Sequence, residues 1–171
     1  SHVNSVTWNA TENALMVTMT AQDGLARIDA ETGQMSWLYG EDVGMFGADS
    51  GLTAAPHSAE LLDDGHVLVF NRGDFLDDPV NACSWASELA VDPDVGSITE
   101  VARWESSACT LVTYLGSAHR LPGDITMVDW TSAGRLDQLP AANESAWSVS
   151  LNAGHAFGYA DFLSNERVTA P

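Results

Sequence analysis

Short runs of alternating apolar and polar residues fill the first forty positions of the chain, with turn-forming residues between them. The runs cover residues 3–9, 15–20, 25–29 and 35–39 and are rich in β-branched and aromatic side chains. Successive side chains of a strand point to opposite faces of a sheet, so this period of two indicates strands. Connections as short as Glu31-Thr32-Gly33 join antiparallel neighbours. The pattern therefore predicts one four-stranded antiparallel meander.

The same order of four strands returns twice. The second set covers 58–62, 67–70, 87–91 and 98–104, and the third covers 117–121, 125–130, 135–139 and 146–151. A tryptophan marks the last strand of each set: Trp37, Trp104 and Trp147. Corresponding positions lie about fifty to sixty residues apart, a period typical of β-propeller blades. We predict an all-β chain with blades at 3–39, 56–104 and 116–151 and an extra strand at 158–163.

Three blades and one strand are too few to close a ring, because closed propellers have about four to eight blades. Each blade buries its faces only against its neighbours, so the two end blades of this chain should present apolar faces. We expect the chain to be part of a larger ring that another chain or a missing segment completes.

The charge of the chain is strongly negative. Its 24 acidic residues stand against six arginines and no lysine, which gives a formal charge of −18. Such a surface repels phosphate backbones and anionic lipids, so nucleic acids and membrane surfaces are not expected partners. The sequence also lacks the run of about 20 apolar residues that a membrane helix needs.

The two cysteines, Cys83 and Cys109, lie near the two ends of the second repeat. A disulfide between them would staple that repeat, and the alternative is a pair of buried free thiols. A long insertion in the same repeat carries oxygen ligands that suit calcium: Asp74, Asp77, Asp78 and Asn81. Their spacing lacks the alternating ligands and turn glycine of a known calcium loop, which favours a solvated acidic loop.

Several segments resemble the arylsulfotransferase family, whose members are six-bladed propellers. They are HVNSV at 2–6, HSAELL at 57–62, DGHVL at 64–68 and GSAHRLPG at 116–123. The similarity runs over most of the chain and corresponds to the C-terminal half of the family's propeller. It implies transfer of a sulfuryl group from an aryl sulfate ester to a phenol, without a nucleotide donor or another cofactor. The expected location is periplasmic or extracellular.

The resemblance also implies roles for individual residues. His2 matches the family's acid or base partner, and His57 matches a second proton or oxyanion contact. Arg72 and Arg135 are the candidates for binding sulfate, because a guanidinium fork fits sulfate oxygens. The region that matches the family's nucleophile, residues 130–135, contains no histidine, so His119 on the preceding strand is the substitute candidate. The alternative function is a non-catalytic secreted propeller segment that acts in binding or assembly.

Overall fold

The computed structural model describes residues 2–40, 44–46, 51–73, 82–106, 108–140, 146–158 and 160. Its strands form three four-stranded antiparallel sheets, and each sheet follows chain order. The first sheet contains β1 (Val3–Asn9), β2 (Ala14–Met19), β3 (Gly24–Asp29) and β4 (Met35–Tyr39). The second contains β5 (Pro56–Leu61), β6 (Val67–Asn71), β7 (Trp85–Asp92) and β8 (Ser97–Glu105). The third contains β9 (Ser117–Leu121), β10 (Ile125–Trp130), β11 (Arg135–Leu139) and β12 (Trp147–Ser150).

The three predicted meanders are confirmed, with differences of one or two residues at strand ends. The hairpin between β5 and β6 shows why local sequence is sufficient here. Gly65 has φ +87°, a conformation that a residue without Cβ adopts at low cost, and its N–H donates to the Leu62 carbonyl at 3.0 Å. Asp64 Oδ1 accepts a bond from the His66 N–H at 3.0 Å, which fixes the exit of the turn.

The core consists of two apolar layers between neighbouring sheets. The layer between the first and second sheets contains, among others, Met16, Leu25, Trp37, Leu61, Val69 and Leu89. The layer between the second and third sheets contains Leu68, Phe70, Trp104, Val128, Trp130 and Leu139. Each layer buries one face of two sheets, so the middle sheet is covered on both sides.

The first strands of the three sheets, β1, β5 and β9, lie side by side. Polar side chains of β1 bond to backbone carbonyls of β5: Thr7 Oγ1 donates to Ala59 at 2.5 Å and Asn9 Nδ2 to Leu61 at 2.6 Å. On the other side of β5, the Glu60 carboxylate accepts a bond from the Arg120 N–H of β9 at 3.1 Å. These bonds join the first strands of neighbouring sheets.

Within the described part of the chain, the outer faces of the first and third sheets each expose apolar side chains. Trp37 and Trp104 are buried between sheets, whereas Trp147, at the corresponding place in the third sheet, is 42% exposed. Val6 and Trp8 of β1 are also exposed, on the outer face of the first sheet. The expected strand at 158–163 lies mostly outside the described residues, and residues 158 and 160 are not in a strand. None of the described residues forms a helix long and apolar enough to cross a membrane.

Candidate functional site

A cavity of about 300 Å³ opens where the first strands of the three sheets meet. Residues 4–7 of β1 form one wall, and His57 and Ser58 of β5 form the next. Ser117 and His119 of β9 and Asp129 of β10 complete the polar lining. Leu115 adds apolar surface. The cavity therefore offers imidazole, carboxyl and hydroxyl groups beside an apolar wall.

His57 is held in one orientation. Its Nδ1 lies 3.0 Å from the carbonyl oxygen of Gly116, and a carbonyl only accepts, so Nδ1 carries the hydrogen. In the neutral ring Nε2 then holds the free lone pair. Burial lowers the pKa of His57, and the positive charges of Arg72 and His2 lower it further, against the opposing effect of the bond to Gly116. The neutral imidazole is the form that serves as nucleophile or base.

Gly116 is required for this contact. Its φ is +96°, in the left-handed region, and a Cβ built on it would overlap the aromatic ring of Phe70. Any side chain here would push the β9 entrance away from Phe70 and carry the carbonyl away from His57. The conformation that glycine permits therefore positions the imidazole of the neighbouring sheet.

His119 of β9 also lines the cavity. It pairs with Met127 across β9 and β10, and its Nδ1 is 3.7 Å from Glu60 Oε2 of β5. Because β5 and β9 are neighbours, His57 and His119 both line the cavity. His119 is the substitute candidate on the strand that precedes the expected nucleophile position, and its place in the cavity lining comes from the adjacency of β5 and β9.

Asp129 is the residue that sequence reasoning missed. It pairs with Ser117, is 1% exposed, and its two carboxylate oxygens accept no hydrogen bond from any described residue. Burial raises its pKa to about 6, and the charge of His119 opposes that rise. The only signal in the sequence is a charged residue inside the apolar run of β10.

The two arginines differ in position. Arg72 is near His57, where its charge lowers the imidazole pKa, and it donates to the carbonyls of Ala55 and Thr113 at 3.3 and 3.2 Å. Arg135 does not line the cavity. Its Nε lies 2.8 Å from the buried Asp137 carboxylate, so its charge is used within the third sheet. Neither arginine lines the cavity, but Arg72 lies near enough to His57 for its charge to lower the pKa of the imidazole.

His2 is exposed, and its charge reaches His57. Its backbone carbonyl accepts a bond from the Thr20 N–H at 2.9 Å, which ties the start of β1 to the end of β2. His57 and His119 line the cavity, and His2 lies near enough to His57 for its charge to act on the imidazole.

The predicted disulfide between Cys83 and Cys109 is present. It joins the segment before β7 to the segment after β8, so it closes the outer edge of the second sheet. Disulfides persist in oxidising compartments, and the bond is consistent with a location outside the cytosol.

The suggested calcium ligands, Asp74, Asp77, Asp78 and Asn81, lie outside the described residues. Within the described part of the chain, Asp64, His66 and Glu88 come close enough to share an ion. Glu88 already forms a salt bridge with Arg120 and accepts from His66 Nδ1 at 2.7 Å. This cluster is an ion-pair network between the second and third sheets, and it lies apart from the residues that line the cavity.

No family model matches this sequence, and no curated protein matches it. The solved structures that resemble this fold include the following three. They are a protein of unknown function from Bacteroides caccae (TM-score 0.53, 15% identity), the β-propeller domain of Cps50 (Swd1) from Myceliophteria thermophila (0.53, 12%) and hydrazine synthase of Kuenenia stuttgartiensis (0.54, 14%). The matches cover 88%, 90% and 91% of this chain but 46%, 45% and 39% of those chains. This chain thus spans less than half of each, and at these identities the likeness establishes its fold alone, which is that of β-propeller blades.

Proposed function

We propose that the chain forms part of a β-propeller enzyme that transfers a sulfuryl group from an aryl sulfate ester to a phenol. The observation that supports this most is His57, whose neutral ring presents an unprotonated Nε2 beside a polar cavity. Arg72 supplies positive charge next to that imidazole, as an anionic ester requires. The disulfide favours an extracellular or periplasmic location for the reaction.

The proposed chemistry has two steps. In the first, the Nε2 lone pair of His57 attacks sulfur, the bond between sulfur and the aryl oxygen breaks, and the phenolate leaves with a proton from the cavity wall. In the second, the oxygen of the acceptor phenol attacks sulfur, the N–S bond breaks, and the phenolic proton returns to the wall. His119 and Asp129, on paired strands and the same sheet face, are the groups that give and take this proton.

The test is an assay with 4-nitrophenyl sulfate as donor and phenol as acceptor. We expect release of 4-nitrophenol that depends on the presence of phenol, and a loss of roughly a hundredfold or more in the His57→Ala variant. The matched control is His155→Ala, since His155 is exposed and bonds only locally, to the Asn152 carbonyl at 3.2 Å. No phenol-dependent release by the native protein, or full activity of His57→Ala, would contradict the proposal.

A second function is favoured by the outer faces of the first and third sheets. Val6, Trp8, Trp147 and Val149 expose apolar surface there, where blades of a propeller normally pack against neighbours. A non-catalytic segment that binds or assembles through these faces would be expected to form larger particles when isolated. Light scattering distinguishes the cases: self-association lost in Trp147→Glu supports assembly through this face, and a stable monomer counts against it.

A further inference from the structure

Two buried aspartates in the third sheet have opposite environments. Asp137 of β11 is 1% exposed and accepts hydrogen bonds from Trp130 Nε1 at 2.9 Å, Arg135 Nε at 2.8 Å and Ser148 Oγ at 2.6 Å. Asp129 of the adjacent strand is equally buried, yet no described residue donates to either of its oxygens. The hydrogen bonds that Asp137 accepts explain how its carboxylate can be buried. No such hydrogen bonds from described residues compensate the burial of Asp129.

A buried carboxylate without donors destabilises a fold, so its presence calls for an explanation outside folding. Asp129 lines the cavity, and the buried Ser117 hydroxyl beside it likewise finds no partner among the described residues. Unmade polar bonds that face a cavity are completed when a ligand supplies the matching groups. An ionised carboxylate only accepts, so the ligand must bring a hydrogen-bond donor.

The charges and apolar side chains around Asp129 favour one kind of hydrogen-bond donor. An ammonium group in the cavity would approach the positive charge of Arg72, which lies near His57. A neutral hydroxyl meets no such repulsion. The apolar side chain of Leu115 at the cavity suits the ring that carries a phenolic hydroxyl.

We propose that Asp129 binds the hydroxyl of a phenolic ligand by accepting its hydrogen, with the aromatic ring against the apolar side of the cavity. This inference rests on the proposed function, because it assigns the acceptor phenol its place. Binding of the phenol at Asp129 can be measured without any turnover.

The probes are 4-fluorophenol and 4-fluoroanisole, which differ in that the methyl ether lacks the donor hydrogen. Binding is followed by fluorine NMR line broadening at pH 8, above the pKa of Asp129 and below the pKa of about 10 for a phenol. We expect the native protein to bind the phenol roughly tenfold more tightly than the ether. Asp129→Leu should remove this preference, and Asp129→Asn, whose amide oxygen still accepts, should reduce it.

The control variant is Asp124→Asn, which neutralises an exposed carboxylate in the turn between β9 and β10. It should leave the preference unchanged. Equal binding of the two probes by the native protein, or an unchanged preference in both Asp129 variants, would overturn the inference even if sulfuryl transfer is found. Preference for the phenol without any transfer would instead leave this binding site standing and remove the proposed reaction. If Asp129→Leu does not fold, Asp129→Asn carries the test.

Discussion

The unpartnered carboxyl of Asp129 makes a prediction about stability that is independent of any ligand. In the fold its pKa is raised from 3.8 to about 6, so between these values the folded protein holds a proton that the unfolded chain has lost. The folded state then binds more protons than the unfolded state, and stability falls as pH rises through this interval. Asp129→Asn removes the ionisation, so the variant should gain stability relative to the native protein as pH rises.

The magnitude follows from the change in pKa. A rise from 3.8 to about 6 corresponds to about two pKa units, and each unit is worth ~1.4 kcal/mol, which gives about 3 kcal/mol at full ionisation. Urea unfolding curves at pH 4, 5, 6, 7 and 8 would measure the free energy of unfolding for both proteins. At pH 4 the unfolded chain is already partly ionised, so we expect the difference between variant and native protein to grow by about 2.5 kcal/mol from pH 4 to pH 8. Other carboxyl groups are common to both proteins and cancel in the difference.

Asp137→Asn is the matched comparison, since Asp137 is equally buried but accepts three hydrogen bonds. An amide in its place turns one acceptor oxygen into a donor facing donors, so we expect a loss of about 1–3 kcal/mol at neutral pH. The reasoning on Asp129 is refuted if Asp129→Asn is less stable than the native protein at pH 8, or if the difference between them does not change with pH.

Three further predictions concern the fold around the site. Replacing Cys83 and Cys109 by serine should cost about 2–4 kcal/mol in urea unfolding, because the disulfide closes a loop of 26 residues, and an unchanged midpoint would mean that it contributes nothing. Gly116→Ala should lower the melting temperature and the activity together, since its Cβ overlaps the Phe70 ring at positive φ; unchanged values for both would contradict the assigned role. Trp104→Ala should cost about 3–5 kcal/mol, because this fully buried ring fills the layer between two sheets, and a loss below 1 kcal/mol would show that the layer is not packed as described.

The strands could be predicted from the sequence because their signals are local. The alternation of apolar and polar residues, and turn glycines such as Gly65, act within a few residues of the chain. These local features are sufficient to predict the three four-stranded meanders. The burial of the last-strand tryptophans is harder to predict from the sequence. Trp37 and Trp104 are covered by the next sheet, but Trp147 has the same sequence context and is 42% exposed, since its environment depends on what packs against the last sheet.

The candidate site depends on contacts between residues far apart in the chain. His57 was identified, but its orientation is fixed by the carbonyl of Gly116, which lies 59 positions along the chain. Asp129 looked like an ordinary strand residue, because whether a carboxyl has hydrogen-bond partners is decided by the neighbouring strands. Arg135 is a candidate sulfate ligand in the sequence, but in the structure its Nε lies 2.8 Å from the Asp137 carboxylate. Hydrogen-bond and salt-bridge partners of this kind cannot be predicted from the spacing of residues along the chain.

The two titratable groups with the clearest shifts in the cavity are shifted in opposite directions. Burial lowers the pKa of His57 and raises that of Asp129 to about 6, so burial disfavours the charged form of each group. A protonated Asp129 does not repel a sulfate ester and can give its proton to the leaving phenolate, and the resulting carboxylate can accept the proton of the next phenol. A neutral His57 keeps its lone pair throughout. In a chain with a formal charge of −18, burial thus moves the pKa of Asp129 toward the range in which it exchanges protons near neutral pH, and it moves the pKa of His57 further below neutrality.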